Sequence, residues 1–366
     1  MINVILLSPH YGNGGITSWT KKFIDNFKSN KFKIYPISQI ASAKKCERTF
    51  IERLFAGISD LLYIKKKLKV ITSDVRIDIL HTTTSGSLGT IRDYIIAKYC
   101  KRNNIKSIMH CRYGAIPSII NKGGVKSSFL IYVMKQFDQV WVLDQKTYER
   151  LSTYEALKRK VSLTPNSIFV PKDLQIQSKS YRKAVFIANV LPSKGIFELI
   201  KAVTQIDSQF ELNIVGPCND DVLIEIIKLS GNCWGGKIKY LGKLPNDEAV
   251  QFLQTVDTLI LPTYFPSEAF PISILEAMSY GKLVISTPRA AIPDMLRINN
   301  NEYCGLLVEE KNVEQLKDAI VYSFEHTEEM DELCRKAYQK AKNTYSMEVV
   351  YPMYESNYQL LISKNS

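Results

Sequence analysis

The 366-residue sequence lacks any apolar stretch long enough to cross a bilayer. A transmembrane helix needs about 20 consecutive apolar residues, and polar or charged residues interrupt every apolar run here. The start of the chain also lacks the basic region of a secretory signal, because Met1 leads directly into the strand-like run Ile2–Leu7. These absences predict a protein that is neither secreted nor membrane-spanning.

Cysteine and histidine are too few and too scattered to build a disulfide or metal framework. The seven cysteines are odd in number and contain no CxxC pair. Only four histidines are present, and no HExxH motif accompanies them. We therefore expect reduced cytosolic thiols and chemistry that does not depend on a protein-bound transition metal.

The length is too great for one ordinary core and suits two α/β domains. Apolar residues make up 45% of the chain and charged residues 23%, as in a globular protein. The stretch from Pro165 to Tyr181 has little periodicity, which indicates a linker. The sequence thus predicts a first domain over residues 1–165 and a second over residues 166–346.

Basic residues are concentrated in the first half. Residues 1–165 contain 28 lysines and arginines against 11 acidic residues, whereas the remainder contains 20 against 25. This asymmetry indicates a surface that faces an anionic partner, either phospholipid or nucleic acid. Since no helix-turn-helix, RRM or zinc pattern is present, the sequence favours an anionic membrane surface over nucleic acid.

Both halves alternate apolar strands with amphipathic helices, which is the pattern of a doubly wound parallel sheet. In the first half we predict strands over residues 2–7, 77–81, 107–110 and 139–143, with helices over 17–27 and 89–102. In the second we predict strands over 184–188, 211–215, 238–240, 258–261 and 283–286, with helices near 196–204, 220–229, 247–255 and 271–280. The predicted fold class is α/β, with two Rossmann-like domains facing a central cleft.

The segment that starts at Phe50 repeats apolar residues at helical spacing and runs into the lysines at positions 65, 66, 67 and 69. An apolar face beside a lysine cluster suits a helix that lies in a bilayer interface. An ordinary core-facing helix with a solvated basic end explains the same pattern. The surrounding positive charge, rather than the helix itself, favours the membrane.

Two carboxylates, Glu268 and Glu276, stand eight residues apart, one before a predicted helix and one within it. Pro271 suits the first helical position, where its missing N–H costs nothing. The free amides of the first turn and the helix dipole then favour a bound phosphate. Because helical side chains lean toward the N-terminus, Glu276 can accept hydrogen bonds from a diol there. Carboxylates can bind hydroxyl groups, and the nearby amides can bind phosphate. Together they predict a nucleotide-sugar site.

With this motif the sequence resembles the retaining family-4 glycosyltransferases of the GT-B fold, whose second domain carries E-x7-E. The likeness runs over nearly the whole chain, and its other matches are Gly14 and Gly15 in the loop Gly12-Asn13-Gly14-Gly15, His110, Pro165-Asn166, Lys194-Gly195, Gly216, Gly242 and Gly281. Taken singly, the glycines, His110 and Lys194 each have an ordinary structural explanation. Their order along one chain favours the functional one.

The resemblance implies a role for each matched position. Glu268 would hold hydroxyls of the donor sugar, Glu276 the ribose, and His110 would face the transferred sugar. Lys194 would neutralise the leaving diphosphate without a metal or other cofactor. The remaining donor-binding positions would be Gly14, Gly15, Asn189, Gly216, Ala269, Phe270, Pro271 and Ile272. A C-terminal helix near 347–361 would cross back, so that residues 347–366 complete the first domain.

Two positions depart from the family pattern. The family's phosphate-binding arginine is Asn189 here, and the usual glycine after the first glutamate is Ala269. Losing an arginine at a leaving diphosphate removes charge stabilisation that carries much of the rate. Another cation must compensate, and Arg289 and Arg112 are the candidates.

The resemblance implies a bacterial hexosyltransferase that retains the anomeric configuration. The donor is a nucleoside diphosphate sugar, with UDP favoured over GDP, and the acceptor is a saccharide, expected to be lipid-linked. We expect it at the inner face of the cell membrane, in capsule, O-antigen or lipopolysaccharide biosynthesis. Asn189 keeps open an alternative, a catalytically impaired sugar-nucleotide-binding partner subunit of a glycosyltransferase complex.

Overall fold

The computed structural model describes residues 1–11, 14–40, 50–86, 89–300 and 302–363. Two compact units make up the chain, one formed by Met1–Asn166 with Val350–Ser366 and one by Ser167–Val349. The loop residues Gly12 and Asn13 and the thiol of Cys46 lie outside the described residues, as do the side chains of residues 50–54.

The first unit is a six-stranded parallel sheet covered by helices. Its strands are β1 Ile2–Leu7, β2 Phe32–Ile37, β3 Ile79–Thr84, β4 Lys106–Cys111, β5 Gln139–Val142 and β6 Val161–Leu163. Its helices are α1 Gly15–Asn26, α2 Phe50–Asp74, α3 Gly89–Arg102, α4 Ile116–Lys122, α5 Gly124–Gln136, α6 Gln145–Ser152 and α7 Glu155–Lys158. The strand order is β2-β1-β3-β4-β5-β6, so the winding reverses between β1 and β3.

The second unit is a second six-stranded parallel sheet, in the order β14-β11-β10-β7-β8-β9, with a separate two-stranded ribbon β12-β13. Its strands are β7 Lys183–Ile187, β8 Glu211–Val215, β9 Ile238–Gly242, β10 Thr258–Leu261, β11 Leu283–Ser286, β12 Arg297–Asn299, β13 Glu302–Tyr303 and β14 Leu306–Leu307. The helices are α8 Ile196–Thr204, α9 Asp220–Ser230, α10 Asn246–Gln254, α11 Ile272–Ser279, α12 Ile292–Leu296, α13 Val313–Glu325 and α14 Thr327–Lys340. The chain then enters α15 Met347–Ser363, which belongs to the first unit from Val350 onward.

The last helix, α15, supplies part of the core of the first unit. Its Tyr354 and Tyr358 are fully buried. Their rings pack with Phe23 of α1, with Phe27 just after this helix, and with Trp141 of β5. Aromatic packing of this kind buries large apolar areas, so α15 is held to the first unit from Val350 onward.

The predicted α/β class with parallel, doubly wound sheets is confirmed. Strand β2 was not predicted, because Lys33 and Pro36 interrupt its apolar pattern. It lies at the sheet edge, where proline is tolerated, and pairs in parallel with β1. Helix α11 begins at Ile272, so Pro271 is the N-cap residue, and its predicted place as the first helical residue is wrong by one position.

Candidate functional site

The strand order of the second sheet reverses between β7 and β10. Ligands of open α/β sheets bind in the crevice that such a reversal leaves at the carboxyl ends of the strands. The segment that follows β7 carries Lys194, and the segment that follows β10 carries Glu268. The topology therefore brings two of the predicted site residues to the same end of this sheet.

Backbone contacts hold these two segments together. The amide of Tyr264 donates to the carbonyl of Ser193 at 2.9 Å. Gly195 has φ +78°, and a Cβ added there would lie 2.1 Å from the carbonyl oxygen of Pro262. A position with a left-handed backbone and no room for a side chain requires glycine. Gly195 thus lets the segment after β7 lie against the end of β10.

Lys194 and Glu268 form an ion pair at this junction. Lys194 Nζ donates to Glu268 Oε2 at 2.5 Å, and Thr263 Oγ1 donates to the same oxygen at 2.9 Å. Within the described part of the chain, Glu268 Oε1 has no hydrogen-bond partner. Lys194 Nζ also lies 4.9 Å from the ring centroid of Phe265. One carboxylate oxygen is therefore held by protein groups, and the other can accept a ligand hydroxyl.

Helix α11 carries the second carboxylate of the motif. Glu276 is its fifth residue and is only 6% exposed. No side chain caps the N-terminus of the helix, so the amides of its first turn are available to an anion. The preceding Phe270 is buried and packs on Tyr345, while the carbonyl of Ala269 accepts from Ala291. The segment before the helix is thus fixed by packing on one side.

Asn189 is exposed just beyond the end of β7. Gly216, after β8, approaches this segment so closely that a Cβ would lie 1.8 Å from the carbonyl oxygen of Ala188. Among the candidate compensating cations, Arg289 belongs to this unit. Its Nε donates to the carbonyl of Phe265 at 3.2 Å, and its Nη1 pairs with Glu310 at 3.3 Å. Arg289 thus contacts the segment that carries Glu268, although Glu310 already balances part of its charge.

In the first unit, Gly14 is the N-cap residue of α1 and Gly15 is its first residue. Both are exposed, and a Cβ at either position would meet nothing within 4 Å. The first turn of α1 has no acidic residue and no side-chain cap. Among the described residues, no side chain therefore competes with an anion for this helix end, although neither glycine is required for packing.

His110, near the end of β4, is fully buried. Its Nδ1 lies 3.1 Å from His81 Nε2, and its Nε2 lies 3.4 Å from Arg112 Nη1. Burial and the charge of Arg112 lower the pKa of His110 well below its usual range, so the ring is neutral. With both nitrogens engaged by protein, His110 is not exposed to a sugar in this arrangement.

Sequence reasoning missed two residues of these sites. Thr263 holds Glu268 from the end of β10, and His81 links His110 to Tyr358, whose hydroxyl lies 2.7 Å from His81 Nδ1. The signal for His81 was a histidine inside the buried strand β3, where a polar ring requires partners. For Thr263 the sequence offered no comparable signal.

Helix α2 has two distinct faces. Ile64 and Leu68 are buried in the core of the first unit, whereas Phe55, Ile58 and Leu62 are exposed by 55 to 69%.

Among the described residues, no helix combines the length and apolar composition needed to span a bilayer. The six cysteines that the structure describes are all free.

Residues 171–344 match the family of glycosyl transferases group 1. An uncharacterized glycosyltransferase of Methanocaldococcus jannaschii is 26% identical over 300 residues, covering 81% of this chain and 77% of that protein. The N,N'-diacetylbacillosaminyl-diphospho-undecaprenol alpha-1,3-N-acetylgalactosaminyltransferase of Campylobacter jejuni is 27% identical over 170 residues, covering 46% of this chain and 42% of that protein.

A solved structure extends the likeness to the fold. Anabaena HepE, crystallised in complex with UDP and glucose, superposes with a TM-score of 0.70 at 14% identity. The match covers 98% of this chain and 99% of HepE. The fold is therefore GT-B.

Proposed function

We propose that this chain, whose residues 171–344 match the glycosyl transferases of group 1, transfers a hexose from a nucleoside diphosphate sugar to a saccharide acceptor in cell-surface polysaccharide biosynthesis. The observation that carries the proposal is the meeting of Lys194 and Glu268 at the switch point of the second sheet. Binding a nucleotide sugar requires a cation for its diphosphate and a hydrogen-bond acceptor for its hydroxyls. Lys194 and Glu268 supply these two groups.

Glu268 binds the sugar and Lys194 stabilises the leaving group. Glu268 Oε1, which has no partner among the described residues, accepts a hydroxyl of the donor sugar, while Thr263 keeps the other oxygen in place. Negative charge builds on the diphosphate as the glycosidic bond breaks. Lys194 stabilises that charge directly, so the reaction needs no metal ion.

The remaining donor contacts of the second unit come from the same end of its sheet. Glu276 binds the ribose, and the amides of the first turn of α11, reached through Ala269, Phe270, Pro271 and Ile272, meet the sugar and diphosphate. Asn189 and Gly216 border the site in the second unit. In the first unit, Gly14 and Gly15 are the proposed donor-binding positions, because the N-terminus of α1 favours phosphate.

The reaction retains the anomeric configuration. The acceptor hydroxyl attacks from the side of the departing phosphate, and a phosphate oxygen takes its proton. Glu268 is a poor candidate for a glycosyl-enzyme intermediate because Lys194 and Thr263 already bind one of its oxygens. The two glutamates therefore bind the donor and do not attack it.

Two relatives support the finer assignments. HepE was crystallised with UDP and glucose, which favours UDP over GDP as the donor nucleotide of this chain. The Campylobacter enzyme acts on a saccharide linked to diphospho-undecaprenol, which supports a lipid-linked acceptor. A lipid-linked acceptor requires the protein at the membrane surface. The basic first half and the exposed apolar face of α2 suit the anionic inner face of the cell membrane.

Asn189 supports a second candidate function. An exposed amide stands where the family has a phosphate-binding arginine, so the chain would bind nucleotide sugars as a weakly active partner subunit. Steady turnover by the purified chain alone would exclude this second function.

A donor-binding screen tests the proposal. Native mass spectrometry with UDP-, GDP- and dTDP-sugars in the presence of EDTA should detect a UDP-sugar complex. Glu268→Gln should abolish sugar-dependent binding, and Glu248→Gln, an exposed change in the same unit, should leave it intact. Binding that requires added Mn²⁺, or that is equal in both variants, would contradict the assignment.

A further inference from the structure

Arg112 is a buried cation with no counter-charge in the part of the chain that the structure describes. It follows β4, is 7% exposed, and forms no ion pair with any carboxylate among the described residues. Burial lowers its pKa to about 10, which leaves it positively charged at neutral pH. A desolvated charge is costly unless a partner or a ligand compensates it. A bound anion would compensate this charge.

The surroundings of Arg112 leave one part of the guanidinium open. Its Cζ lies 4.1 Å from the ring centroid of Trp19, which covers one face. Nη1 donates to His110 Nε2, and Nε is enclosed with no acceptor. Nη2 has no acceptor within the described ranges and, unlike Nε, is not enclosed. An anionic oxygen can therefore approach at Nη2.

A chain of buried rings fixes the position of Arg112. Arginine only donates, so His110 Nε2 must carry the lone pair and Nδ1 the proton. That proton is donated to His81 Nε2 at 3.1 Å, and His81 Nδ1–H is in turn donated to the hydroxyl oxygen of Tyr358 at 2.7 Å. Each histidine is thus confined to a single tautomer.

The position of Arg112 suits an anionic ligand of the first unit. Arg112 follows the carboxyl end of β4, two strands from β1 in a sheet whose winding reverses between β1 and β3. Trp19, on which it stacks, belongs to α1, the helix whose first turn has no acidic residue and no side-chain cap. The open helix end and the uncompensated guanidinium belong to the same edge of the sheet and favour the same charge.

We propose that Arg112 binds a phosphate oxygen of a substrate through Nη2, and that His81 and His110 are positioning residues that hold it there. The inference rests on the proposed function, because both a nucleoside diphosphate donor and a lipid diphosphate acceptor carry such an oxygen. It also explains how His110 can serve the reaction while fully buried.

Calorimetric binding of three probes tests the contact: inorganic pyrophosphate, UDP and farnesyl diphosphate. Arg112→Gln should weaken pyrophosphate binding about tenfold or more, since it removes a charge-assisted hydrogen bond, and Arg112→Lys should weaken it less. Arg76→Gln makes the same charge change at an exposed site of the first unit and should alter binding less than about twofold. A parallel loss for UDP assigns the subsite to the donor, and one for farnesyl diphosphate assigns it to the acceptor.

Unchanged affinity for all three probes in folded Arg112→Gln would overturn the inference. So would the absence of binding of every probe to the unmodified protein. Should Arg112→Gln fail to fold, ¹⁵N NMR of the histidines in the unmodified protein still tests the contact. Pyrophosphate should shift the His110 Nε2 resonance, and saturation without that shift refutes the contact. If the unmodified protein transfers sugar but Arg112→Gln leaves the affinity for pyrophosphate unchanged, this subsite is refuted and the proposed function still stands.

The positioning role needs its own readout. His81→Leu removes the acceptor for His110 Nδ1–H, so ¹⁵N shifts should report a mixture of His110 tautomers, and pyrophosphate affinity should fall about fivefold. His81→Gln keeps an acceptor oxygen and should restore both the single tautomer and the affinity. A single Nδ1–H tautomer in His81→Leu, or equal affinity in the two variants, would contradict the role of His81.

Discussion

Gly195 lies against Pro262 so closely that a Cβ at position 195 would stand 2.1 Å from the Pro262 carbonyl oxygen. This contact sets the position of the neighbouring Lys194 relative to Glu268. Gly195→Ala should lower the free energy of unfolding by about 2 kcal/mol or more, because the left-handed backbone and the clash both oppose a side chain. The same change should reduce sugar transfer more than the loss of folded protein explains.

Gly236→Ala is the matched control for Gly195→Ala, because a Cβ at position 236 meets nothing within 4 Å. Chemical denaturation and initial-rate assays should leave this control unchanged. Equal stability and activity of the two alanine variants would show that Gly195 does not position Lys194.

Charge at Lys194 is expected to matter in the transition state more than in the ground state. Lys194→Met should lower kcat by about a hundredfold or more, with a smaller change in KM, because charge on the diphosphate grows as the bond breaks. Lys194→Arg should recover part of the loss. Steady-state kinetics should determine kcat and KM for these variants. Lys243→Met, which alters an exposed lysine, is the control. A pure KM effect would show that Lys194 only binds.

Replacing Asn189 with the arginine of the family pattern should increase the rate of sugar transfer. Asn189→Arg should raise kcat about tenfold, because it returns a charge-assisted hydrogen bond to the leaving diphosphate. Gln209→Arg, also exposed and in the second unit, adds the same charge elsewhere and should have no effect. An unchanged rate in Asn189→Arg would mean that another cation, such as Arg289, already supplies the charge.

Acid should destabilise the first unit through its buried histidines. Burial and the charge of Arg112 lower the pKa of His81 to about 3, so a proton binds the unfolded chain more readily than the folded one. Stability is fully present above the unfolded pKa of about 6.5 and falls by up to about 1.4 kcal/mol per pH unit for His81 as the pH drops toward 3.

Hydrogen exchange of the β3 and β4 amides between pH 7 and pH 4.5 tests this pH dependence. His81→Gln should make it shallower, with His110 contributing the remainder, whereas His326→Gln, which alters an exposed histidine, should not change it. An identical slope in the unmodified protein and in His81→Gln would contradict the assigned cause.

The first and last residues of strands and helices with continuous apolar patterns can be predicted from the sequence. The predicted bounds of β8, β10, β11, α3 and α8 match the structure, since each is an apolar run or stripe with clear ends. By contrast, β2 was missed because Pro36 and the exposed Lys33 are typical of an edge strand, whose alternation is weak. Short strands such as β6 bury too few residues to leave a periodic signal.

The sequence indicates candidate site residues but not their pairing. The spacing of Glu268 and Glu276 is visible in the sequence, yet the contact of Lys194 with Glu268 depends on a strand order that no local pattern contains. The hydrogen bonds that link Tyr358 to His81 and His81 to His110 join residues 277 and 29 positions apart, respectively. Long-range pairing between single polar residues leaves no periodicity, so only the fold reveals it.

The most direct test of the proposed function is turnover of a UDP-hexose, followed by release of UDP in EDTA, for the unmodified chain and for Glu268→Gln. We predict steady release by the unmodified protein and a loss of about a hundredfold or more in Glu268→Gln, because a buried carboxylate that grips the donor sugar is neutralised. UDP release that survives in Glu268→Gln, or that requires added metal, would contradict it.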